Sequence, residues 1–226
     1  MSADPSMSAE SAESAELADI PGLTRVENTD LEQLVSRCAE LTRPAYPHEE
    51  VYGKYCTIQE YVDCPPEQAY EYLRQGHHLE EWTFSLRNFV PTGTPGLWVG
   101  NDRLEEQTRI FCKVETHPEA MTVDFHCAWD QGDKLWMVYL MRVVPAQLVF
   151  DKPGSVITWT NCRHPYYDEN PHPDLAPRAD RPWVGDYWDL FYAGHTVEMA
   201  NLKAILEHRH RSGLPVSTSP RAAVVR

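Results

Sequence analysis

Two residues near the end of the chain, His195 and Glu198, have the types and the spacing that proton transfer needs. Three residues apart, they share one face of a predicted helix, and Phe191, Met199 and Leu202 mark that face as buried. An imidazole beside a buried carboxylate keeps a fixed orientation and suits general acid–base catalysis. The pair therefore predicts an acid–base site. The structural alternative is that His195 bonds a backbone or loop group while Glu198 reaches solvent.

A second pair of candidates lies on the strand-like run MTVDFHCAW, residues 121–129. Alternation puts Asp124 and His126 on one face of this strand and the apolar residues on the other. If the polar face turns inward, Asp124 or His126 acts opposite His195, and His126, His195 and Glu198 form a set that binds Zn²⁺ or Fe²⁺. If the apolar face turns inward, His126 is a surface residue. Because the sequence has no HExxH motif and no Cys/His quartet, we expect no cofactor and commit to no metal, with a divalent metal (Zn or Fe) as the open alternative.

Aromatic residues are more numerous than a small core needs, so we expect some of them to line a cavity and bind a flat ligand. Ordinary core packing is the alternative for each one. Arg109 and Arg142 lie in strand-like runs and are candidates to bind a carboxylate or enolate oxygen inside the cavity, with an exposed ion pair as the alternative. The aromatic candidates are Trp82, Tyr139, Trp159, Tyr187 and Phe191.

The elements that position these residues follow from hydrophobic periodicity and from breakers. A first strand over 52–62 ends at Pro65-Pro66, and two short helices follow through 65–82, broken at Gly76. Residues 186–210 carry apolar side chains at helical spacing and predict a long closing helix. Between them we predict an antiparallel meander of six strands: FSLRNFV, GLWVGNDRL, TRIFCKVE, MTVDFHCAW, LWMVYLMRVV and SVITWTNCR.

Composition divides the chain into one domain and its extensions. Residues 1–22 are acidic and of low complexity, and we expect them to be disordered, as we do the tail 211–226. Residues 23–50 form an N-terminal extension with a short helix from Asp30 to Leu41, and 51–210 form the main domain. The Pro- and Asp-rich segment 164–183 is predicted to be a loop, either a lid over a cavity mouth or a solvated surface loop.

Charge and cysteine usage exclude several classes of partner. The net charge of −14 disfavours nucleic acid and anionic membranes, and the apolar runs are too short to cross a bilayer. The six cysteines form no CxxC pair, so we expect reduced, mostly buried thiols and a cytoplasmic protein. Nucleotide-binding glycine motifs and a GxSxG elbow are missing from the sequence, which disfavours nucleotide-dependent and serine-hydrolase chemistry.

The order of strand, two short helices ending in a tryptophan, six strands and a long helix resembles the helix-grip fold of the START and polyketide-cyclase (SRPBCC) superfamily. CPPEQAY, residues 64–70, resembles the turn into its first helix, and LEEW, residues 79–82, the end of its second. GHTVEMANLKAILE, residues 194–207, resembles the terminal helix of the heat-shock-ATPase-activator homologues. The resemblance spans roughly residues 52 to 210 and implies an α+β fold, in which a curved antiparallel sheet of about seven strands wraps around the helix and leaves a deep, mostly apolar cavity.

Three functions are compatible with such a cavity, since the fold itself does not choose between them. The first is a polyketide-cyclase-like enzyme that cyclises or dehydrates a hydrophobic or aromatic biosynthetic intermediate by acid–base chemistry without an organic cofactor. The second is a non-catalytic carrier or sensor of an apolar small molecule, whose affinity comes from buried apolar area. The third is a metal-dependent enzyme that uses the His/His/Glu set. A hydrophobic or aromatic small molecule is the expected partner, and a homodimer is left open.

Overall fold

Seven antiparallel strands form one sheet in the order β1-β7-β6-β5-β4-β3-β2. The structure, a computed structural model, describes residues 16, 17, 20–45, 55–104, 108–175 and 183–219. The first and last strands of the chain are therefore neighbours, and the remaining strands follow one another as a meander. The strands are β1 (Tyr55–Val62), β2 (Leu86–Pro91), β3 (Leu97–Asp102), β4 (Thr108–His117), β5 (Thr122–Trp129), β6 (Met137–Pro145) and β7 (Ser155–Cys162).

Five α-helices accompany the sheet in the described part of the chain. Short 3-10 helices at Gly76–His78, Pro165–Tyr167, Pro173–Leu175 and Val184–Leu190 connect the larger elements. Among the described residues, none of the helices has the length and apolar character required to span a membrane. The α-helices are α1 (Leu31–Ala45), α2 (Pro66–Leu73), α3 (Leu79–Trp82), α4 (Gln147–Phe150) and α5 (Phe191–Arg211).

The junction between β1 and α2 shows how sequence sets the element boundaries. Pro65 has an extended backbone and Pro66 begins the helix, a position where the missing N–H of proline costs nothing. The Ser155 hydroxyl at the start of β7 donates to the Cys64 carbonyl oxygen at 2.6 Å and joins this turn to the neighbouring strand. The predicted pair of short helices is confirmed as α2 and α3, separated by the 3-10 turn at Gly76.

The long closing helix is confirmed, although it begins later than predicted. Residues Val184–Leu190 form a 3-10 helix, and the regular α-helix starts at Phe191. Gly185 explains the difference, because a Cβ atom there would lie 1.6 Å from the Tyr167 carbonyl oxygen. The loop backbone and the start of the closing segment therefore touch directly, and the tighter helix makes this approach.

The inner face of α5 packs against the sheet and forms the core. Leu202, Ile205 and Leu206 on the helix are completely buried, as are Val62 of β1 and Ile157 of β7. These residues belong to one continuous apolar cluster that includes α2 and α3. Burial of this face holds the helix across the concave side of the sheet.

Chain segments outside the main domain also pack onto it. Leu17, Ile20 and Val216 are buried, so the expectation of disorder is wrong for these described parts of 1–22 and 211–226. Their apolar side chains cover the ends of the main core, which offsets the cost of ordering the backbone. Residues 1–15, 18, 19 and 220–226 of these two segments lie outside the described residues.

A buried ion pair joins the end of α5 to α3 and to the N-terminal segment. Arg209, only 1% exposed, donates to Glu81 Oε2 at 2.8 Å and to Glu16 Oε1 at 3.2 Å. The Tyr72 hydroxyl donates to the same Glu81 oxygen at 2.7 Å. Burial alone would lower the pKa of Arg209, but the neighbouring acidic groups, Glu81 first, outweigh it and raise the pKa above its usual range.

Candidate functional site

A cavity of about 180 Å³ lies between the sheet, α3 and the first turns of α5. Strands β2 to β7 contribute its concave wall, and the 3-10 helix before α5 covers one side. Its lining is mainly apolar and aromatic. All the predicted aromatic candidates line it, namely Trp82, Tyr139, Trp159, Tyr187 and Phe191, together with His195 and Glu198.

His195 and Glu198 form the predicted pair. The Nδ1 atom of His195 lies 3.0 Å from Glu198 Oε2, and the side chains are 13% and 14% exposed. The other oxygen, Glu198 Oε1, accepts the backbone N–H of Phe84 at 2.9 Å. Both carboxylate oxygens are thus occupied, and Glu198 is fixed between α5 and the segment that follows α3.

The hydrogen bond to Glu198 defines the protonation of the imidazole. Because a carboxylate only accepts hydrogen bonds, Nδ1 of His195 must carry the proton that it donates to Glu198. In the neutral ring, Nε2 then presents its lone pair. This Nε2 atom is buried and has no hydrogen-bond partner among the described residues. The cavity wall therefore carries a basic nitrogen, and the hydrogen bond between Nδ1 and Glu198 sets its orientation.

Aromatic rings surround the imidazole on several sides. The Trp159 ring lies 4.2 Å from it, centroid to centroid, at an interplanar angle of 31°. Tyr139 meets it edge-on at 5.5 Å, and Phe191 at 5.3 Å. This packing holds the ring in one orientation and keeps water away from it, so its hydrogen bonds act in a low-dielectric environment.

Tyr139 adds a neutral hydroxyl to the same end of the cavity. Burial is the main cause that raises its pKa well above the ordinary tyrosine value, and Tyr167, Cys127 and Glu198 raise it further. The phenol therefore stays protonated over the whole physiological range. Its hydroxyl has a hydrogen bond with the Tyr167 hydroxyl that raises the Tyr139 pKa and lowers the effect of burial on Tyr167, so Tyr139 is the donor of this pair.

The predicted lid, residues 164–183, contributes none of its described residues to the cavity lining. The 3-10 helix that follows it contributes Val184 and Tyr187. Trp183 donates its indole N–H to the Tyr166 carbonyl oxygen at 2.9 Å, and its ring stacks on Trp136 at 6.0 Å. Aromatic contacts thus attach the segment before α5 to the sheet.

The predictions for Asp124 and His126 are wrong in their placement. Phe125, Cys127 and Trp129, the apolar alternates of β5, line the cavity, so the polar face turns outward. His126 Nε2 lies 3.7 Å from Glu115 Oε2 on that outer face. The apolar face turns inward because it covers the core, whereas the polar face is solvated on the outside.

The metal hypothesis loses its third ligand for the same reason. His126 does not meet His195 and Glu198, and within the described ranges no group of three or more His, Cys, Asp or Glu residues is suited to hold a metal ion. The pair alone would offer a metal one nitrogen and an already occupied carboxylate. The described residues therefore do not fit a Zn²⁺ or Fe²⁺ site.

Arg109 and Arg142 also lie outside the cavity. Both side chains are exposed, and the Arg109 guanidinium lies 4.9 Å from the centre of the Phe111 ring on the outer face of the sheet. The prediction of a buried arginine for a ligand carboxylate is therefore wrong. Surface cation–π contact and solvation account for Arg109 without a ligand.

Sequence reasoning missed several lining residues and one anchor. Ile110 and Cys112 of β4 and Asp102 of β3 line the cavity, and the signal for β4 was present as alternation in TRIFCKVE. The anchoring N–H of Phe84 gives no sequence signal, because every residue except proline carries one. Its role depends on the three-dimensional approach of α5 to residues 83–85.

Known proteins resemble this chain in part of its sequence and in its fold. Residues 54–159 match a family described as "Domain of unknown function (DUF8713)". None of the curated proteins matches the sequence. The description of the matched family adds no activity to what the site shows.

Solved structures extend the likeness to most of the main domain. The Zhui aromatase/cyclase from Streptomyces sp. R1128 matches with a TM-score of 0.50 at 10% identity, over 71% of this chain and 97% of that one. The Aha1 dimer from Colwellia psychrerythraea has a TM-score of 0.45 at 14% identity, over 68% and 96% of the two chains. A START superfamily protein from Mycobacterium smegmatis gives 0.42 at 13% identity, over 70% and 98%. At such identities the likeness concerns the fold alone. The comparison of folds rests on the Zhui structure, whose TM-score is 0.50.

Proposed function

This chain has the helix-grip fold of the START and polyketide-cyclase-like superfamily, and from that premise we propose that it is a cofactor-independent acid–base enzyme. Its substrate is a hydrophobic or aromatic small molecule bound in the cavity, and the reaction is a cyclisation or dehydration of the polyketide-cyclase kind. His195 is the proposed catalytic base and acid. Glu198 is a positioning residue, because both of its oxygens are already occupied.

One observation carries the proposal: on the wall of an apolar cavity, the buried Nε2 of His195 has no hydrogen-bond partner in the described part of the chain. Buried polar atoms without partners are rare, and each needs a reason. A substrate that brings a proton to this nitrogen would supply the missing hydrogen bond. The arrangement of carboxylate, imidazole and bound substrate is the one that makes histidine an effective general base.

The reaction that this geometry suits begins with proton abstraction. His195 Nε2 takes a proton from an acidic carbon of the substrate, the electron pair moves into the adjacent carbonyl, and the Glu198 carboxylate stabilises the imidazolium that forms. In a dehydration, the imidazolium then returns the proton to the departing hydroxyl, which leaves as water. Every proton and electron pair is accounted for by the substrate and His195.

A probe reaction tests the base without knowledge of the natural substrate. 5-Nitrobenzisoxazole is a flat aromatic compound whose ring opens when a base removes its carbon-bound proton, and the product absorbs visible light. We expect the wild-type protein to accelerate this reaction and His195→Gln to lose about 10²-fold or more of that rate. His126→Gln is the matched control, since His126 lies on the outer face of the sheet beside Glu115. Equal rates for wild type and His195→Gln would overturn the proposal.

A carrier or sensor function is the second candidate, and the mainly apolar lining favours it. Affinity would then come from the area that the ligand buries, at about 25 cal/mol per Å². This function predicts saturable binding of naphthalene that is unchanged in His195→Gln, with no acceleration of the probe reaction. Titration calorimetry measures this binding, and the rate of the probe reaction in wild type and His195→Gln separates the two candidates.

The cytoplasm is the proposed site of action. Among the described residues, which include all six cysteines, no disulfide is formed, and five of the six thiols are buried. Burial, with a contribution from Glu198, raises the pKa of Cys56 to about 12, so this thiol stays protonated and unreactive. Six cysteines that form no disulfide among the described residues fit a reducing compartment.

A further inference from the structure

Besides His195, two cavity-lining residues, Trp159 and Trp129, carry a buried indole nitrogen without a hydrogen-bond partner among the described residues. Trp159 lies against His195, whereas Trp129 ends β5 and is 3% exposed. Its indole Nε1 is buried without a hydrogen-bond partner in the part of the chain that the structure describes. The Trp129 ring contacts Trp183 at 5.9 Å and Tyr187 at 6.2 Å, both in the segment just before α5.

Trp129 and His195 lie at opposite ends of the cavity. Phe125, earlier on β5, pairs with Tyr139 across the sheet, and Tyr139 contacts the imidazole. Phe125 therefore marks the His195 end. Trp129 is four residues further along the same strand, and at about 3.3 Å per residue the two positions are roughly 13 Å apart. That distance matches a flat molecule of two fused rings with a polar group at each end.

We propose that the indole N–H of Trp129 is a second polar anchor that determines substrate specificity. Its ligand is a carbonyl or ether oxygen at the far end of a one- or two-ring molecule, opposite the group that His195 deprotonates. The inference rests on the proposed function, because it assumes that the ligand occupies this cavity with one end at His195.

The chemistry of the indole restricts what can bind there. An indole N–H is only a donor, so its partner must be an acceptor such as a carbonyl or ether oxygen. A ligand that places a C–H group against it leaves the buried N–H unpaired, which is the costly case for a hydrogen bond. Sites built in this way reject analogues that lack the matching group.

Three probes and four proteins test the anchor by titration calorimetry. The probes are naphthalene, 2-naphthol and 6-acetyl-2-naphthol, and the proteins are the wild type, Trp129→Phe, His195→Leu and Trp98→Phe. Phenylalanine keeps an apolar ring at position 129 and removes the N–H. Trp98 is the control, because it packs on Gly76 and does not line the cavity.

The change in affinity from 2-naphthol to 6-acetyl-2-naphthol is the decisive quantity. We expect the acetyl group to tighten binding about three- to tenfold more in the wild type and Trp98→Phe than in Trp129→Phe. The gain from naphthalene to 2-naphthol should persist in Trp129→Phe and disappear in His195→Leu. Comparing probes within each protein cancels the effect of the altered cavity volume.

The outcomes separate this inference from the proposed function. If the acetyl gain is the same in Trp129→Phe and wild type while the hydroxyl gain still depends on His195, the anchor is refuted and the proposed function stands. That result would mean that water satisfies the Trp129 N–H. If none of the three probes binds the wild type, both are overturned.

Discussion

Replacing Glu198 by glutamine tests how the imidazole is held. The glutamine amide oxygen can keep the Phe84 N–H that Glu198 Oε1 now accepts at 2.9 Å. Its NH₂ group then faces His195 Nδ1 in place of the carboxylate oxygen at 3.0 Å. Since NH₂ only donates, Nδ1 must become the acceptor and the ring proton moves to Nε2. The lone pair leaves the cavity, although the shape of the site is unchanged.

The size of the loss follows from two terms. Restoring the productive tautomer requires the amide to rotate and leave the Phe84 N–H unpaired, which costs about 1–3 kcal/mol. The imidazolium also loses its charge-assisted hydrogen bond, which contributes about 1.5–3 kcal/mol. Together they correspond to a loss of about 10²- to 10⁴-fold in the rate of proton abstraction.

Initial rates of 5-nitrobenzisoxazole ring opening measure this loss, and nitrogen NMR of labelled histidine reports the tautomer. The outer surface provides a matched control, because His126 and Glu115 form a second His–Glu pair at 3.7 Å away from the cavity. Glu115→Gln should leave the rate unchanged. The double variant Glu198→Gln/His195→Gln should lose no more rate than His195→Gln alone, since Glu198 and His195 act as one unit.

A Glu198→Gln protein that folds normally and keeps the wild-type rate would refute this reasoning. It would show that Nε2 acts as a base without the carboxylate behind it. Loss of rate with the Nδ1–H tautomer still present in the spectrum would contradict the tautomer argument specifically. The lower rate would then come only from the loss of the negative charge of Glu198.

Three further changes probe the scaffold. Arg209→Met leaves a buried carboxylate unpaired and should lower the free energy of unfolding by about 3–5 kcal/mol, whereas Arg211→Met, at an exposed ion pair, should change it by less than about 1 kcal/mol in urea titrations. Gly185→Ala would place a Cβ atom 1.6 Å from a backbone oxygen and should lower the melting temperature, while Gly194→Ala has open space and should stabilise α5 by up to about 1 kcal/mol. A thiol reagent should label Cys162 rapidly in the native protein and the buried cysteines only after unfolding, and rapid labelling of more than one thiol would contradict the described burial.

Local patterns made much of the fold predictable. Prolines 65 and 66 mark the boundary between β1 and α2. The alternation in the six runs after Trp82 corresponds to strands β2–β7. The His195–Glu198 pair was predictable because helical spacing alone brings residues three apart together. These are properties of neighbouring residues, which a sequence contains directly.

The orientation of β5 was not predictable in the same way. Alternation separates Asp124 and His126 from the apolar residues, but it does not determine which of the two faces lines the cavity. The structure resolves this through the position of α5, whose Tyr139 and Trp159 contacts fix the inner side of the sheet. Tertiary packing decides such choices.

The order of the N-terminal segment was also beyond local reasoning. The Asn201 side chain on α5 accepts the Thr24 N–H at 2.7 Å and donates to the Thr24 carbonyl oxygen and to the Trp82 carbonyl oxygen at 3.1 Å. One amide thus holds two distant backbone segments. A sequence contains Asn201 but does not show that its partner lies 177 residues earlier.

The pairing of β1 with β7 bears on how the chain folds during synthesis. Val62 at the end of β1 pairs with Ser155 at the start of β7, so β1 has no partner strand until roughly 90 further residues have been made. At about 5–20 residues per second the ribosome needs roughly 5 to 20 s for that stretch. The meander from β2 to β6 can form hairpins in that interval, while β1 waits with both hydrogen-bonding edges unpaired. Closure by such a distant contact is slow, and the nascent chain should therefore be most prone to aggregation, and most dependent on chaperones, just before β7 and α5 emerge.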